Sequence, residues 1–463
     1  MRRLRSFIHK ETRKLGHMSI VASIFLSLCV FSFLKARYCP GTLANLRAPT
    51  NTHVQMIITE TESSTSQSVE KRRTEDSQKP MCTEWGTRSI TCEMVGEVMI
   101  EGNSSTVYVP SYDSTAKLEE WKVKPYNRKS DPIAMSRVSE VLIKPYLHHE
   151  QMPHCTQNHS APAIIFSVGG FTGNLFHDFT DVLIPLFITA HQFHGDVQFI
   201  ITDSKPWWIG KFRLILKQLS KYEIIELNNN EEVHCLQGRL IVGTNFHKEF
   251  GVDPSKSPNG YSMSDFKELL RRSFSLERGT AIQIGDEFKK RPKLLIISRA
   301  HSRKFVNERG IVEMAKSLGY DVVVAEANSS TNISKFARLV NSCDVLMGVH
   351  GAGLTNMVFL PHGAVIIQVV PFGRLEWLAG ASFKEPAMDM KLNYLEYRIQ
   401  EEESTLAQQY PQDHPVIRDP FSIHKQGWMA LRTVYLDNQD VKPNLGKLRN
   451  TLIEALKYLR EPN

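Results

Sequence analysis

The stretch that decides the fold runs from residue 344 to residue 371 and reads DVLMGVHGAGLTNMVFLPHGAVIIQVVP. Two apolar strand patterns flank a glycine-rich turn and a short helical segment. Gly351 and Gly353 allow a tight turn and a close approach of the backbone to a ligand, and the amides that open the helix offer free donors. His350 stands at the strand end, where α/β sheets bind ligands. The pattern predicts an anion-binding turn, although such turns also occur for packing reasons alone.

A second strand pattern, about fifty residues upstream, ends in a cationic cluster. Residues 293–298 read KLLIIS and run directly into RAHSRK at 299–304. Because the ends of parallel strands meet at one edge of a sheet, this cluster is expected beside the glycine turn, and the combination suits a nucleotide diphosphate. The candidate binding residues are Arg299, Arg303, Lys304, His350, Gly351, Ala352, Gly353 and Asn356.

Length and composition are those of a globular protein. The chain has 463 residues, enough for two folded domains, and a hydrophobic fraction of 41%. Its net charge of +7 is modest, and residues 1–17 alone contain six Lys or Arg side chains against one Glu. This charge distribution predicts no nucleic-acid partner.

The N-terminal region has the pattern of a membrane anchor. Residues 1–17 are predicted to be a cytosolic tail, and the uncharged residues 18–34 a transmembrane helix. Such a helix would span ~25 Å, which suits the thinner membranes of the early secretory pathway. A cleaved signal peptide is the alternative. The positive-inside rule places the remainder in a lumen, beginning with a disordered stem at residues 35–81.

Lumenal placement predicts disulfides and N-linked glycans. Cys82 and Cys92 form the first candidate pair, and Cys155 and Cys235 a weaker second one, since spacing cannot fix the connectivity. Acceptor sequons begin at Asn103, Asn158, Asn328 and Asn332. The sequence lacks the Cys-x-x-Cys spacing of zinc sites, so no metal ligand is assigned.

Alternating strand and helix patterns predict an α/β protein with two Rossmann-like parallel-sheet domains that face a cleft. The first domain, residues 82–287, has strands expected near 163–168, 197–202, 224–227 and 239–242, with helices at 175–193 and 211–219. The second, residues 288–442, has strands expected at 293–298, 321–325, 345–349 and 364–370, with helices at 308–318 and 333–341. Residues 443–463 are predicted to form an amphipathic C-terminal helix.

The candidate catalytic residues lie where the first of these strands enters a helix, in GGFTGNLFHDFTDVLIPLF at 169–187. His177 and Asp181 are four residues apart and project from one face, while Asp178 lies about 100° away. A structural His–Asp pair is one alternative. The other is a general base that faces the diphosphate site, as inverting glycosyl transfer from a nucleotide sugar requires. The sequence has no Asp-x-Asp motif, which favours catalysis without a metal.

Three segments resemble glycosyltransferase family 61: GNLFHDFTD at 173–181, ISR at 297–299 and VHGAGLTN at 349–356. The resemblance covers most of residues 160–375 and is nearest to the plant xylan pentosyltransferase branch. It implies an inverting enzyme of GT-B architecture whose C-terminal domain holds a UDP-sugar. It also implies that Asp181 is the base and that His177 is its partner or an acceptor contact. The implied function is transfer of xylose or arabinofuranose to xylan by a Golgi type II membrane protein.

Other functions remain open at this point. N-acetylglucosaminyl transfer to protein-linked glycans and a noncatalytic glycan-binding subunit are the two alternatives. A dinucleotide dehydrogenase is disfavoured, because the turn lacks the G-x-G-x-x-G spacing and the acidic residue that contacts the ribose. Trp207 and Trp208 suggest a sugar-stacking platform, although core packing is the favoured role for an adjacent pair of this kind.

Overall fold

A computed structural model describes residues 80–111, 119–147, 152–227, 231–285, 290–326 and 331–460. The predicted cytosolic tail, the predicted membrane helix, nearly all of the predicted stem and the sequon at Asn328 lie outside these ranges. Within them, no helix is both long enough and apolar enough to cross a bilayer.

The first sheet has ten strands in the order β4-β5-β3-β2-β10-β7-β8-β9, with β1 paired to β2 and β6 to β10. These strands are β1 (Met81–Trp85), β2 (Ser89–Glu101), β3 (Thr106–Ser111), β4 (Trp121–Val123), β5 (Val141–Leu147), β6 (Gln157–His159), β7 (Ala163–Ser167), β8 (Gln198–Thr202), β9 (Ile225–Glu226) and β10 (Val233–Val242). Strands β10, β7, β8 and β9 run parallel, whereas β2 is antiparallel to β1, β3 and β10.

The predicted parallel pairing holds for β10, β7, β8 and β9, but the first sheet as a whole is mixed. The strands near 163–168, 197–202, 224–227 and 239–242 are confirmed, but β1 to β6 were not predicted. In β2, buried residues such as Met94 and Val98 lie among exposed or half-buried ones, as in an antiparallel strand with one solvated face. Such strands lack the continuous apolar run by which parallel strands are recognised.

The second sheet is fully parallel, as predicted, with the order β12-β11-β13-β14-β15. Its strands are β11 (Lys293–Ile297), β12 (Asp321–Ala325), β13 (Val345–Val349), β14 (Val365–Val370) and β15 (Asn393–Arg398). Ile297 lies opposite Gly348, and Val349 lies opposite Val369. The cationic cluster and the glycine turn therefore leave the same edge of the sheet.

The α-helices are α1 (Pro132–Met135), α2 (Leu175–His177), α3 (Ile184–Ala190), α4 (Pro206–Leu219), α5 (Met263–Phe274), α6 (Glu308–Ser317), α7 (Ile333–Asn341), α8 (Glu376–Ala379), α9 (Glu385–Asp389), α10 (Leu406–Gln409), α11 (Pro415–Arg418), α12 (Pro420–His424), α13 (Trp428–Leu431) and α14 (Leu445–Arg460). Single π-helical turns occur at Asp178–Leu183, Gly380–Lys384 and Arg432–Asp437. A 3₁₀-helix occupies Ala352–Phe359, and shorter ones occupy His191–Phe193, Pro254–Lys256, Pro258–Gly260 and Glu401–Glu403.

One hydrophobic cluster joins the two sheets. It contains Phe166 of β7, Phe179 of the π-helical turn, Ile297 of β11 and Met357 of the 3₁₀-helix, and helix α5 contributes Phe266. Burial of this much apolar surface between the sheets is the dominant favourable term in holding them together. The two strand edges that carry the candidate residues are thereby fixed relative to each other.

Both predicted disulfides are present. Cys82–Cys92 links paired positions of β1 and β2, and Cys155–Cys235 links the segment before β6 to β10. Cys343 is free and buried. The β1–β2 hairpin therefore has a covalent tie just before the turn that carries Arg88.

Candidate active site

His177 and Asp181 form a hydrogen-bonded pair at the start of the long helical segment of the first sheet. Asn174 caps α2 by accepting a hydrogen bond from the amide of Phe176, which starts the helix. The Nδ1 atom of His177 lies 2.8 Å from Oδ2 of Asp181. The Asp181 side chain has no exposed surface, whereas that of His177 is 20% exposed. Only the imidazole of this pair therefore reaches the cleft.

The backbone of Asp181 is held by a side chain from the first sheet. Pro185 has no amide hydrogen, so the Asp181 carbonyl lacks the donor that a helix would provide four residues later. Instead, Nδ2 of Asn127 donates to this carbonyl at 2.7 Å. The segment 178–183 is a π-helical turn, a feature that often marks functional sites within helices.

The Asp181 carboxylate is surrounded by donors. Arg128 donates through Nε at 2.9 and 3.0 Å, Arg88 through Nη2 at 3.1 Å, and Tyr126 through its hydroxyl at 3.0 Å. Glu249 pairs with both guanidinium groups, at 2.9 Å from Arg88 and 2.7 Å from Arg128. Two buried cations and two carboxylates thus balance one another in a single network.

This network keeps Asp181 ionised. Burial alone would raise the pKa of its carboxyl group, but the hydrogen bond from His177 and the charge of Arg128 outweigh burial and leave the pKa below its usual range. An ionised Asp181 accepts the Nδ1 proton of His177 and so fixes the imidazole tautomer with its lone pair on Nε2. Among the described residues, Nε2 has no hydrogen-bond partner. The pair can therefore act as a histidine base oriented by a carboxylate.

The predicted direct role of Asp181 as the base does not fit this geometry, because both of its carboxylate oxygen atoms accept hydrogen bonds and its side chain has no exposed surface.

Asp178 is also buried, and its Oδ1 accepts from the amide of Gly173 at 2.9 Å and from the indole N–H of Trp208 at 3.0 Å. Burial raises the pKa of the Asp178 carboxyl group. Asp178 therefore ties the loop before the helix to α4.

On the second sheet, Arg299 and Arg303 lie against the glycine turn. A Cβ atom on Gly351, whose φ is +142°, would lie 3.1 Å from Nη1 of Arg299 and 2.6 Å from Nη1 of Arg303. Only glycine therefore fits between the two guanidinium groups. Arg303 donates through Nη1 to the carbonyl of His350 at 2.8 Å, and its Nε is buried without a partner. Neither Arg forms an ion pair within the part of the chain that the structure describes.

Two adjacent, half-buried cations without a carboxylate in ion-pair range among the described residues are unfavourable. Burial lowers the pKa of Arg299. Burial and then the neighbouring Arg299 lower the pKa of Arg303 to about 9. A bound anion would reverse both effects, because opposite charge favours the protonated guanidinium. The two arginines can therefore bind an anionic ligand.

His350 adds a neutral donor to this site. Burial, followed by the charges of Arg303 and Arg299, lowers the pKa of its imidazole to about 3. Its Nδ1 accepts from Nε2 of Gln368 at 2.7 Å, and Oε1 of Gln368 accepts from the Tyr394 hydroxyl at 2.8 Å. The imidazole proton is then on Nε2, available to a ligand oxygen.

The other predicted binding residues differ in how they are placed. Ala352 and Gly353 open the 3₁₀-helix, where the first amides have no acceptor within the helix. Asn356 is buried and donates to the carbonyl of Gly353 at 2.9 Å, so its side chain stabilises the turn. Lys304 pairs with Asp440 at 3.4 Å and is largely exposed, which sets it apart from the guanidinium pair.

A chain of aromatic rings connects the two sets of residues. Phe383 packs against Phe176 at 5.7 Å and against His350 at 5.6 Å between ring centroids. Phe176 in turn contacts the His177 ring at 5.7 Å. Helix α2 also packs against the 3₁₀-helix 352–359. The rings of His177 and His350 are therefore connected through Phe176 and Phe383.

Four residues of the site were not predicted from the sequence: Arg88, Tyr126, Arg128 and Glu249. They come from a hairpin turn, a loop near β4 and a loop after β10, with no spacing that links them to Asp181. The only local signal is that Tyr126, Asn127 and Arg128 form a short polar run, which by itself is typical of a loop. Their convergence depends on the tertiary structure.

Comparison with known proteins identifies the family of this chain. A family model described as Glycosyltransferase 61 matches residues 175–367. The beta-1,2-xylosyltransferase XYXT1 of Oryza sativa subsp. japonica is 42% identical over 81% of this chain and 83% of its own length. The chain belongs to glycosyltransferase family 61.

Other members of family 61 match at similar levels. The alpha-1,3-arabinosyltransferase XAT2 of Oryza sativa subsp. japonica is 45% identical over 83% of this chain, and the alignment spans 65% of that protein's length. The xylan glycosyltransferase MUCI21 of Arabidopsis thaliana is 34% identical over 87% of this chain and 84% of its own. The family 61 match contains His177, Asp181, Arg299 and the glycine turn, whereas Arg88 and Arg128 lie before it.

Proposed function

We propose that this chain transfers a pentose, either xylose or arabinofuranose, from a UDP-sugar onto the xylan backbone with inversion at the anomeric carbon. The observation that carries the proposal is that two half-buried guanidinium groups, with no carboxylate in ion-pair range among the described residues, lie near a histidine that Asp181 orients. The names of the family 61 relatives, which include arabinosyl- and xylosyltransferases, support the choice of a pentose.

The donor binds with its diphosphate against Arg299, Arg303 and the amides of residues 352–353. The N–H at Nε2 of His350 donates to a phosphate oxygen. As the bond between the sugar and UDP breaks, negative charge grows on the diphosphate, and these positive groups stabilise it most strongly in the transition state. They provide the charge that a metal ion provides in other glycosyltransferases, so the reaction proceeds without a metal.

The acceptor hydroxyl attacks the anomeric carbon from the side opposite the diphosphate. Nε2 of His177 takes the hydroxyl proton as the new glycosidic bond forms, and the departing UDP carries away the bonding electron pair of the old one. Asp181 stabilises the resulting imidazolium through the hydrogen bond to Nδ1. Asp181 is thus a positioning residue, held ionised by Arg88 and Arg128.

The proposal extends to architecture and location. The two sheets with a site between their edges correspond to a GT-B-like enzyme in which the second sheet holds the nucleotide. The basic N-terminal tail and the apolar residues 18–34 support a single-pass type II protein in the Golgi membrane with its catalytic domain in the lumen. The Cys82–Cys92 and Cys155–Cys235 disulfides agree with an oxidising compartment.

The test uses the purified full-length chain with UDP-xylose, UDP-arabinofuranose and UDP-N-acetylglucosamine, each with xylohexaose or a mannosyl peptide as acceptor. Mass spectrometry is expected to find one pentose added to xylohexaose, and the same rate in excess chelator. Transfer of N-acetylglucosamine alone would overturn the proposed substrate. Binding of UDP without any transfer or hydrolysis would indicate a noncatalytic subunit, and activity restored by manganese after chelation would refute metal independence.

A further inference from the structure

Trp207 lies exposed beside the loop that leads to His177. Its side chain is on the first turn of α4, and the residue is 52% exposed, whereas the adjacent Trp208 is fully buried. The indole N–H of Trp208 donates to Asp178, so Trp208 has the predicted packing role. Trp207 makes no comparable contribution to the core. A large apolar ring at such a position requires another explanation.

The indole of Trp207 is held in a fixed place relative to the base. A Cβ atom on Gly173 would lie 3.5 Å from Cη2 of Trp207, so the ring lies against the backbone of this glycine. The Gly173 amide and Trp208 donate to the same oxygen of Asp178, which joins the loop, α4 and the catalytic helix. Lys205 adds a hydrogen bond to the Thr172 hydroxyl at 2.7 Å.

The same loop also contacts His177 directly. The ring of Phe171 lies 4.8 Å from the His177 ring, centroid to centroid. Phe171 at one end of this loop therefore contacts His177, and Gly173 at the other end contacts the exposed indole of Trp207. Three residues separate Gly173 from His177 in the chain, so an extended acceptor with one hydroxyl at His177 can reach Trp207 with a neighbouring ring.

We propose that Trp207 stacks on a xylose ring of the acceptor, next to the ring that receives the new pentose. This inference rests on the proposed function, since it takes the β-linked xylan chain as the ligand. A xylopyranose ring has no hydroxymethyl group, so its C–H face is flat and can cover an indole closely. Aromatic rings bind such faces through apolar burial and through the negative charge of the π face.

The first measurement is binding of xylohexaose to the full-length chain by titration calorimetry, beside UDP binding. Trp207→Ala is expected to weaken xylohexaose binding about tenfold and to raise the acceptor KM by the same factor. Turnover at saturating acceptor and UDP affinity are expected to stay within about twofold. Trp207→Phe should recover most of the affinity. Trp428→Ala is the matched control, since Trp428 is 50% exposed on α13.

Equal xylohexaose affinity for Trp207→Ala and the wild type would overturn the stacking proposal, provided that the thermal midpoints agree. The two proposals fail in different ways. If the wild type binds xylohexaose but transfers no pentose, the proposed reaction is wrong. The xylohexaose affinity of Trp207→Ala then still tests the stacking proposal. If the wild type transfers pentose and Trp207→Ala has an unchanged acceptor KM, only the stacking proposal fails. If the wild type does not bind xylohexaose at all, both fail.

Discussion

Two pairs of half-buried arginines, one beside each sheet, have opposite surroundings. Arg88 and Arg128 touch two carboxylates, those of Asp181 and Glu249, at 2.7–3.1 Å. Arg299 and Arg303 lie beside Gly351 and donate to the carbonyl oxygens of Ser302 and His350, each at 2.8 Å, with no carboxylate in ion-pair range among the described residues. The residue type and the degree of burial are similar, but the partners differ.

The difference separates structural cations from binding cations. A buried charge must be paired, and removing its partner costs several kcal/mol. In the first pair the protein provides the partner, so the guanidinium groups fix Asp181. In the second pair no described residue provides it, and under the proposed function the diphosphate of UDP would pair charges that folding left unpaired. Each prediction below changes one side of this contrast.

Asp181→Asn should have the largest effect, because it removes the negative charge that pairs with Arg88 and Arg128. We expect the free energy of unfolding to fall by about 3–5 kcal/mol and turnover to fall by about 10²–10⁴-fold. Denaturant unfolding and pentose transfer measure the two effects. The control is Asp178→Asn, which is equally buried but has no guanidinium partner, and should cost about 1 kcal/mol. Near-wild-type turnover in folded Asp181→Asn would refute the role of this carboxylate.

His177→Ala should lower turnover by about 10²–10⁴-fold. Its stability should be nearly unchanged, since the imidazole is partly exposed and Asp181 still forms ion pairs with Arg88 and Arg128. UDP affinity should also be unchanged. Because the two residues act as a unit, the double variant His177→Ala/Asp181→Asn should be no slower than His177→Ala alone. Additive losses would show that Asp181 acts independently of the imidazole.

Arg303→Met should weaken UDP binding by about 30- to 100-fold, because it removes a cation that only the ligand pairs. Without UDP, the variant should be as stable as the wild type or more stable. Calorimetric titration and the UDP-dependent rise in the thermal midpoint measure both effects. Lys304→Met is the control and should change UDP affinity less than twofold, since Lys304 pairs with Asp440. If Arg303→Met is less stable than the wild type and binds UDP normally, Arg303 is a structural cation like Arg88 and Arg128. The proposed difference between the two arginine pairs would then be wrong.

Lys267 shows a third outcome for a buried cation. Its Nζ donates to the carbonyl of Met390 at 3.1 Å, and burial, followed by the charge of Lys391, lowers its pKa to about 7. The unfolded chain therefore binds more protons than the folded one between pH 7 and pH 10, and stability should rise with pH across that interval. Lys267→Met should remove this slope and stabilise the protein by on the order of 3 kcal/mol at pH 6.

Urea unfolding at pH 6, 8 and 10 measures the effect of Lys267. The control is Lys248→Met, since Lys248 is partly exposed and pairs with Asp389 at 2.6 Å. We expect the control to keep the wild-type slope. If Lys267→Met also keeps that slope, Lys267 is protonated in the folded protein, and burial does not lower its pKa.

Much of the second half of the molecule could be predicted from local patterns. Strand β13 is buried along its whole length and appears as a continuous apolar run, and it begins and ends at the predicted residues. The edge strand β12 is partly exposed, but its run of three valines also predicted its bounds correctly. The glycine turn and Arg299 follow such strands directly, which places them at the ligand edge of the sheet. The first half was predicted less well, because its antiparallel strands alternate in polarity and pair through contacts distant in sequence.

The sequence alone determined the parallel second sheet, the glycine turn after β13 and the His177–Asp181 spacing, since each depends on short-range order. It indicated both disulfides as candidate pairs but left their connectivity open. Only the tertiary structure decided which member of the His–Asp pair reaches the cleft. It also decided which arginines are paired and which of the two tryptophans is exposed. Burial and charge pairing depend on residues far apart in the chain, such as Arg88 and Asp181. No local sequence pattern predicts which of these residues are in contact.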